Sequence, residues 1–245
     1  MTQNKNKIYF ISDAHLGRES TSQENQKEQK LLAFLSQIEA ECETLYILGD
    51  LFDFWFEYKN LIPKQFASVL FALKKLKDSG SQVIYLAGNH DFWLGDFLPQ
   101  QLGIAVYPDF LEVSHQGKKL FLTHGDGLAK KDVGYRILKK VLRNKVNIWL
   151  YRQLPTDFSY WLAKKISHSS GNYNREKDLA FLEEYKRFAK EKINSGFDFV
   201  IMGHIHQPIL EKIDKGFYVN VGDWMRNFSY GVLEEGELRL EKYII

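Results

Sequence analysis

Five times along this chain a short apolar run stops on a cluster of aspartate, histidine, asparagine and glycine. Asp13-Ala14-His15 follows Lys7 to Ser12, Gly49-Asp50 follows Thr44 to Leu48, and Gly88-Asn89-His90-Asp91 follows Gln82 to Ala87. Further on, His124-Gly125-Asp126 follows Lys118 to Thr123, and Gly203-His204-Ile205-His206 follows Phe197 to Met202. Runs of this length, rich in β-branched and aromatic residues, read as buried strands. Glu24 to Ala40 and Lys64 to Ser79, which separate the first three runs, carry the spacing of amphipathic helices, the second closed by Gly80. A strand-helix-strand-helix-strand order predicts an α/β fold with a parallel sheet and crossover helices. In such sheets ligands bind beyond the carboxyl ends of the strands, so all five clusters are expected on one edge.

After Gly103 the pattern changes to short strands around tight turns. Phe110 to Ser114 and Lys118 to Thr123 flank Gln116-Gly117; Ile209 to Ile213 and Phe217 to Val221 flank Asp214-Lys215-Gly216; a last pair brackets Glu235-Gly236. A long helix is expected from Arg175 to Asn194, with Gly196 as its stop.

The residue types in the clusters carry chemistry. Carboxylate, imidazole and amide oxygen form a donor set suited to Mn²⁺, Fe or Zn²⁺, with none of the thiolates of a structural zinc site. Asp13 and His15, like His204 and His206, stand two residues apart, a spacing that in a strand aims both side chains at one locus. Alone, each cluster has a plain structural explanation: a capping aspartate, an asparagine turn, a satisfied core histidine. What outweighs these is the conjunction of five clusters, each at a strand end. His115, beside Gln116-Gly117, lacks that context and reads as an exposed hairpin residue.

The clusters begin at positions 13, 50, 89, 124 and 204, so the last interval is about 45 residues longer than one structural unit requires. The excess is a distinctive segment. Leu128 to Arg175 holds eleven basic and two acidic residues, a charge of +9 in a chain whose formal net charge is +2. It also holds Tyr135, Trp149, Tyr151, Phe158, Tyr160 and Trp161. A cationic, greasy insertion beside the site invites an anionic partner with an apolar part, and an anionic membrane surface is expected to be one. The single cysteine, Cys42, excludes an internal disulfide and fits a reducing compartment. No signal-like or membrane-spanning run is present, which leads to the expectation of a cytoplasmic protein, peripheral to the inner face of the inner membrane.

The ordered blocks D-x-H, G-D-x-x-D, G-N-H-D, H-G and G-H-x-H, from Asp13 to His206, resemble those of the calcineurin-like metallophosphoesterase superfamily. The resemblance implies a four-layer αββα sandwich with two divalent metal ions, manganese first among the expected metals. Asp13, His15, Asp50 and His206 would hold one ion, and Asp50, Asn89, His124 and His204 the other, with Asp50 shared. It also implies that His90 assists the leaving group and pairs with Asp53. The core would be residues 1–127 and 176–245, with residues 128–175 as an inserted helical cap.

Within the superfamily, YILGDLFDFWFEY, GNHDFWLGDF, HGDGLAKKDVGYRILKKVLRN and GHIHQP are similar to the hydrolases of lipid A synthesis that split UDP-2,3-diacylglucosamine with metal-activated water. That likeness implies an acylated UDP-sugar substrate touched by Asp132, Asn172 and Arg175. Well-known members carry arginine in place of His90, so hydrolysis of another nucleotide pyrophosphate or a phosphodiester stays open. A non-catalytic scaffold with the same fold is a further alternative. A nuclease would use the +9 segment against a phosphate backbone, but no nucleic-acid module is recognisable and no nucleic-acid partner is expected. No obligate protein partner is evident.

Overall fold

A computed structural model of the chain describes residues 5–129, 133–170 and 175–244. The apolar runs are strands. β1 (Lys7–Ile11), β2 (Cys42–Leu48) and β3 (Gln82–Leu86) are joined by helices α1 (Thr21–Ile38) and α2 (Ala67–Asp78) and lie parallel, with β4 (Ala105–Tyr107) parallel beyond β3. A π-helical turn, Leu98–Leu102, precedes β4; neither it nor β4 was expected from the periodicity. β5 (Phe110–His115), β6 (Lys118–Thr123), β7 (Phe199–Met202), β8 (Pro208–Ile213) and β9 (Gly216–Val221) form a second sheet in the order β5-β6-β7-β9-β8.

The parallel expectation holds for β1 to β4 but not for the whole sheet. β10 (Ser229–Glu234) pairs antiparallel with β1, and β11 (Glu237–Lys242) pairs antiparallel with β10, so the first sheet runs β11-β10-β1-β2-β3-β4. The reason is local at one end and distant at the other. Glu235 and Gly236 both have positive φ, 52° and 81°, which is the mirror-image turn that a two-residue hairpin favours. The choice of β1 as neighbour is a tertiary matter that the hairpin does not encode.

Alternate residues of one strand serve two cores. Ile8 and Phe10 face the second sheet, where they meet Leu120, Leu122, Ile201 and Val219. Tyr9 and Ile11 face the other way, into a core with Leu31 and Phe34 of α1 and Leu70 and Leu73 of α2. Both faces of β1 are therefore dry, which is why IYFI is uninterrupted by polar residues. On the far side of the second sheet, Phe121, Val200, Met202 and Tyr218 pack on Tyr185, Ala189 and Ile193 of α6 (Arg175–Asn194). The layers are thus helices, sheet, sheet and helix.

Three helices stand between β6 and α6: α3 (Val133–Leu142), α4 (Lys145–Arg152) and α5 (Thr156–Ser170). They dock on the loops that follow β2 and β3. Tyr151 of α4 packs against Phe54, Phe56 and Trp93, with ring centroids 6.3, 4.7 and 4.8 Å away. The Trp93 indole N–H donates to the Leu142 carbonyl at 3.0 Å. Lys139 of α3 pairs with Asp126 at 2.8 Å, and Arg143 with Asp109 at 2.7 Å.

Two glycines let the strand-end loops touch. A Cβ on Gly88 would overlap the Asp50 carboxylate and backbone nitrogen, and a Cβ on Gly203 would overlap Ser12 Oγ and Asp13 Oδ2. Their use here is the absence of a side chain where two loops cross. Gly88→Ala and Gly203→Ala are each expected to destabilise the fold by about 1–3 kcal/mol through overpacking, read as a lower denaturation midpoint. A midpoint equal to wild type would show that the loops do not cross so closely.

Candidate metal centre

The clusters meet at the carboxyl ends of β1, β2, β3, β6 and β7, where the edges of the two sheets coincide. Backbone contacts join them: Asp13 N–H donates to the Gly49 carbonyl at 3.2 Å, and Gly203 N–H to the His124 carbonyl at 3.0 Å. The first sheet is tied to the second by His204 N–H, which donates to Asp13 Oδ2 at 2.8 Å. Asp13 and His15 converge as expected, but not by strand pleating, because β1 ends at Ile11 and β7 at Met202. Asp13, His15, Asp50, His204 and His206 all have left-handed backbones, with φ between 43° and 74°. Asp and His tolerate that region better than most residues, yet it is costly, and such outliers concentrate where function demands a particular side-chain direction.

Asp13 and Asp50 are almost wholly buried. Asp13 Oδ1 lies 3.6 Å from His15 Nε2 and 3.5 Å from His206 Nε2. Asp50 Oδ2 lies 3.7 Å from His15 Nε2 and 3.4 Å from His124 Nε2, so Asp50 stands between the two groups of imidazoles. Asn89 Oδ1 is 3.0 Å from the same His124 nitrogen. The His204 ring lies edge-on to that of His124, with centroids 5.1 Å apart. All seven expected ligands are therefore brought to one place.

His124 Nδ1 is 2.7 Å from the Leu48 carbonyl, a contact that needs an N–H, so Nε2 of the neutral ring carries the lone pair. That lone pair meets the oxygens of Asp50 and Asn89, and only a cation, whether proton or metal ion, relieves the repulsion. Asp13 Oδ1 and both His15 nitrogens are likewise buried with no hydrogen-bond partner among the described residues. The oxygen and nitrogen donors fit a pair of divalent ions.

Protonation follows the same demand. Burial opposes the charged form of Asp13 and Asp50, yet His206 and His15 around the first, and His124 and His90 around the second, hold both carboxyls below the usual range. Burial also opposes the imidazolium of His124, but Asp50 overrides it and pushes the ring up to about 10. His206, where burial prevails, is brought down to about 3.

Asp53 and His90 adjoin this centre. Asp53 Oδ1 is 3.5 Å from His15 Nδ1 and 3.6 Å from His90 Nδ1, while His90 Nδ1 is closer still, 3.0 Å, to the Asp53 backbone carbonyl. The His90 ring packs edge-on against His15. Of the three expected substrate contacts, Asp132 and Asn172 lie outside the described residues, and Arg175 opens α6 with its side chain outside them.

Several residues that position the centre went unassigned in the sequence. Asp91 accepts from the backbone N–H groups of Asp50, Phe52 and Gly88 and from the Tyr85 hydroxyl, so it holds the β2 and β3 loops together. Burial and the nearby Asp50 push its carboxyl up to about 6. Asn220, a lone amide inside the apolar run of β9, donates to the Gly203 carbonyl, and Asn227 donates to the His206 carbonyl at 3.0 Å. A polar residue in a buried strand was the available signal for Asn220. His115 is half-buried rather than exposed, 2.7 Å from the Tyr46 hydroxyl.

Residues 6–208 match the calcineurin-like phosphoesterase family. A UDP-2,3-diacylglucosamine hydrolase of Porphyromonas gingivalis is 33% identical over 97% of this chain and 97% of its own length. That of Haemophilus influenzae strain PittGG is 31% identical over 90% and 92%. Among solved structures, a novel archaeal phosphodiesterase is similar in fold, with a TM-score of 0.50 at 19% identity, over 96% of this chain and 98% of that one. With its five strand-end blocks, its two mixed sheets and its three overlapping groups of aspartate and histidine, the chain belongs to the calcineurin-like metallophosphoesterases.

Proposed function

We propose that the protein hydrolyses the pyrophosphate bond of UDP-2,3-diacylglucosamine to UMP and 2,3-diacylglucosamine 1-phosphate, a step of lipid A synthesis. The observation that carries hydrolysis is the facing of buried lone pairs from Asp50, Asn89 and His124. The alignment of 97% of the chain with a relative named for this activity supports the substrate.

In this reading Asp13, His15, Asp50 and His206 hold one divalent ion, and Asp50, Asn89, His124 and His204 the other. Manganese is the proposed metal, with iron and zinc compatible with the same donors. Two such ions supply an activated water and neutralise charge on the phosphoryl oxygens. The Leu48 carbonyl keeps His124 in the tautomer that offers Nε2. With Nδ1 donating to the Asp53 carbonyl, His90 has Nε2 as the atom that gives or takes a proton at the departing oxygen. Asp53 orients His15 and His90 from behind.

Residues 128–175 act as a cap, with Asp132, Asn172 and Arg175 as its substrate contacts. Ile137, Val141, Val146, Trp149, Leu150, Phe158 and Trp161 are each between 48% and 62% exposed, an apolar surface on three cationic helices. That surface suits acyl chains and an anionic leaflet, and supports a peripheral position on the cytoplasmic face of the inner membrane. No helix among the described residues is long and apolar enough to cross a membrane. His90, where well-known hydrolases carry arginine, favours a second reading in which another nucleotide pyrophosphate is the substrate.

Phosphorus NMR of a reaction in ¹⁸O water with UDP-2,3-diacylglucosamine is expected to show UMP and 2,3-diacylglucosamine 1-phosphate; turnover only of deacylated UDP-sugars would favour the second reading. Asp50→Asn and His204→Gln should each cost more than about 100-fold in kcat/KM, since even partners of metal ligands are worth 10–100-fold. Activity near wild type in either variant would defeat the two-metal assignment. In flotation, anionic liposomes should carry the wild type but not a Trp149→Ala/Trp161→Ala variant. Equal recovery of wild type with and without liposomes would count against membrane docking.

A further inference from the structure

We propose that Arg18 binds the phosphoryl group next to the one attacked, making the site selective for pyrophosphates over single-phosphorus esters; this rests on the hydrolase reading above. Arg18 lies three residues beyond His15, in a turn fixed from inside the protein. Its backbone N–H donates to the His15 carbonyl at 3.2 Å, and the same carbonyl accepts from the Lys27 ammonium of α1 at 2.8 Å. Lys27 is only 3% exposed. The Arg18 guanidinium lies 3.7 Å from Asp53 Oδ1, an ion-pair distance longer than a hydrogen bond. That same oxygen is 3.5 Å from His15 Nδ1 and 3.6 Å from His90 Nδ1, so Arg18 borders the candidate metal centre directly. Its side chain is 18% exposed against 4% for Asp53, so it spans the passage from buried carboxylate to solvent.

These features describe a preorganised cation at the mouth of the site. The turn and the Asp53 carboxylate limit what the guanidinium loses in freedom when it meets an anion. Its planar fork matches two phosphate oxygens at once, which a lysine ammonium does not. In a pyrophosphate the second phosphorus is one bridging oxygen away from the first, so a phosphoryl group at the metal centre brings another anion to this mouth. A single-phosphorus ester brings none. A role confined to neutralising Asp53 would make no such distinction between ligands.

The test compares manganese-loaded wild type, Arg18→Gln and Arg18→Lys by calorimetric titration with methylenediphosphonate, whose bridge resists hydrolysis, and with methylphosphonate. Arg18→Gln should weaken methylenediphosphonate binding about tenfold or more beyond any effect on methylphosphonate, the size of one charge-assisted contact. Arg18→Lys, which keeps charge without the fork, should fall between. The same selective loss is expected in kcat/KM for UDP-2,3-diacylglucosamine against bis(p-nitrophenyl) phosphate, chiefly through KM. A loss equal for the two phosphonates, including no loss, would overturn the inference, as would a fall in bound manganese that accounts for both. A wild type that leaves UDP-2,3-diacylglucosamine intact, while Arg18→Gln still separates the phosphonates, removes the substrate assignment and keeps this one.

Discussion

Buried negative charge at Asp50 and Asp13 is the constraint around which the rest of the structure is organised. Two carboxylates in a dry junction repel each other and forgo hydration, and they persist there only where cations stand between and around them. His15, His124 and His206 supply nitrogens within 3.4 to 3.7 Å, and the geometry of those nitrogens leaves room for positive charge rather than for hydrogen bonds. The left-handed backbones at Asp13, His15, Asp50, His204 and His206 are the conformational cost of aiming so many polar side chains inward. Surrounding loops must over-determine that strain, and Asp91, Asn220 and Asn227 do so by gripping backbone groups of those loops.

The same constraint explains why two sheets are needed. One parallel sheet would deliver Asp13, Asp50 and Asn89 along an edge, but His124, His204 and His206 come from the second sheet. The contact of His204 N–H with Asp13 Oδ2 joins a strand end of each sheet, residues 191 positions apart. The inter-sheet core of Ile8, Phe10, Leu122 and Ile201 sets the spacing across which these groups meet. Packing in the sandwich and geometry at the centre are therefore one problem, and the small residues at 88 and 203 sit where its solution is tightest.

The aromatic residues of α4 and α5 divide by a rule that their spacing does not contain. Tyr151 and Tyr160 pack on Phe54, within the loop that follows β2, whereas Trp149, Phe158 and Trp161 are about half exposed. Helical periodicity marks a stripe but not which stripe finds a partner, because the partner comes from a loop nearly a hundred residues earlier. Charge had a similar limit. Lys139 and Arg143 count toward the cationic character of the segment, yet both are engaged with Asp109 and Asp126 of the core and serve to seat the helix.

What the sequence by itself determined was the alternation of β1 to β3 with α1 and α2, the later hairpins and α6, the seven ligand-type residues and their arrival at strand ends, since apolar runs, helical spacing and polar punctuation are local properties of a chain. The turns at Gln116-Gly117 and Glu235-Gly236 were equally local, each pair ending on a glycine that accepts positive φ. Only the tertiary structure decided that the last hairpin joins β1, that Asp53 stands between His15 and His90, and that Arg18 and Asp91 border the centre. Each of those depends on distances between segments far apart in the chain, and such distances exist only once two sheets have packed and the buried carboxylates have drawn imidazoles from both around them.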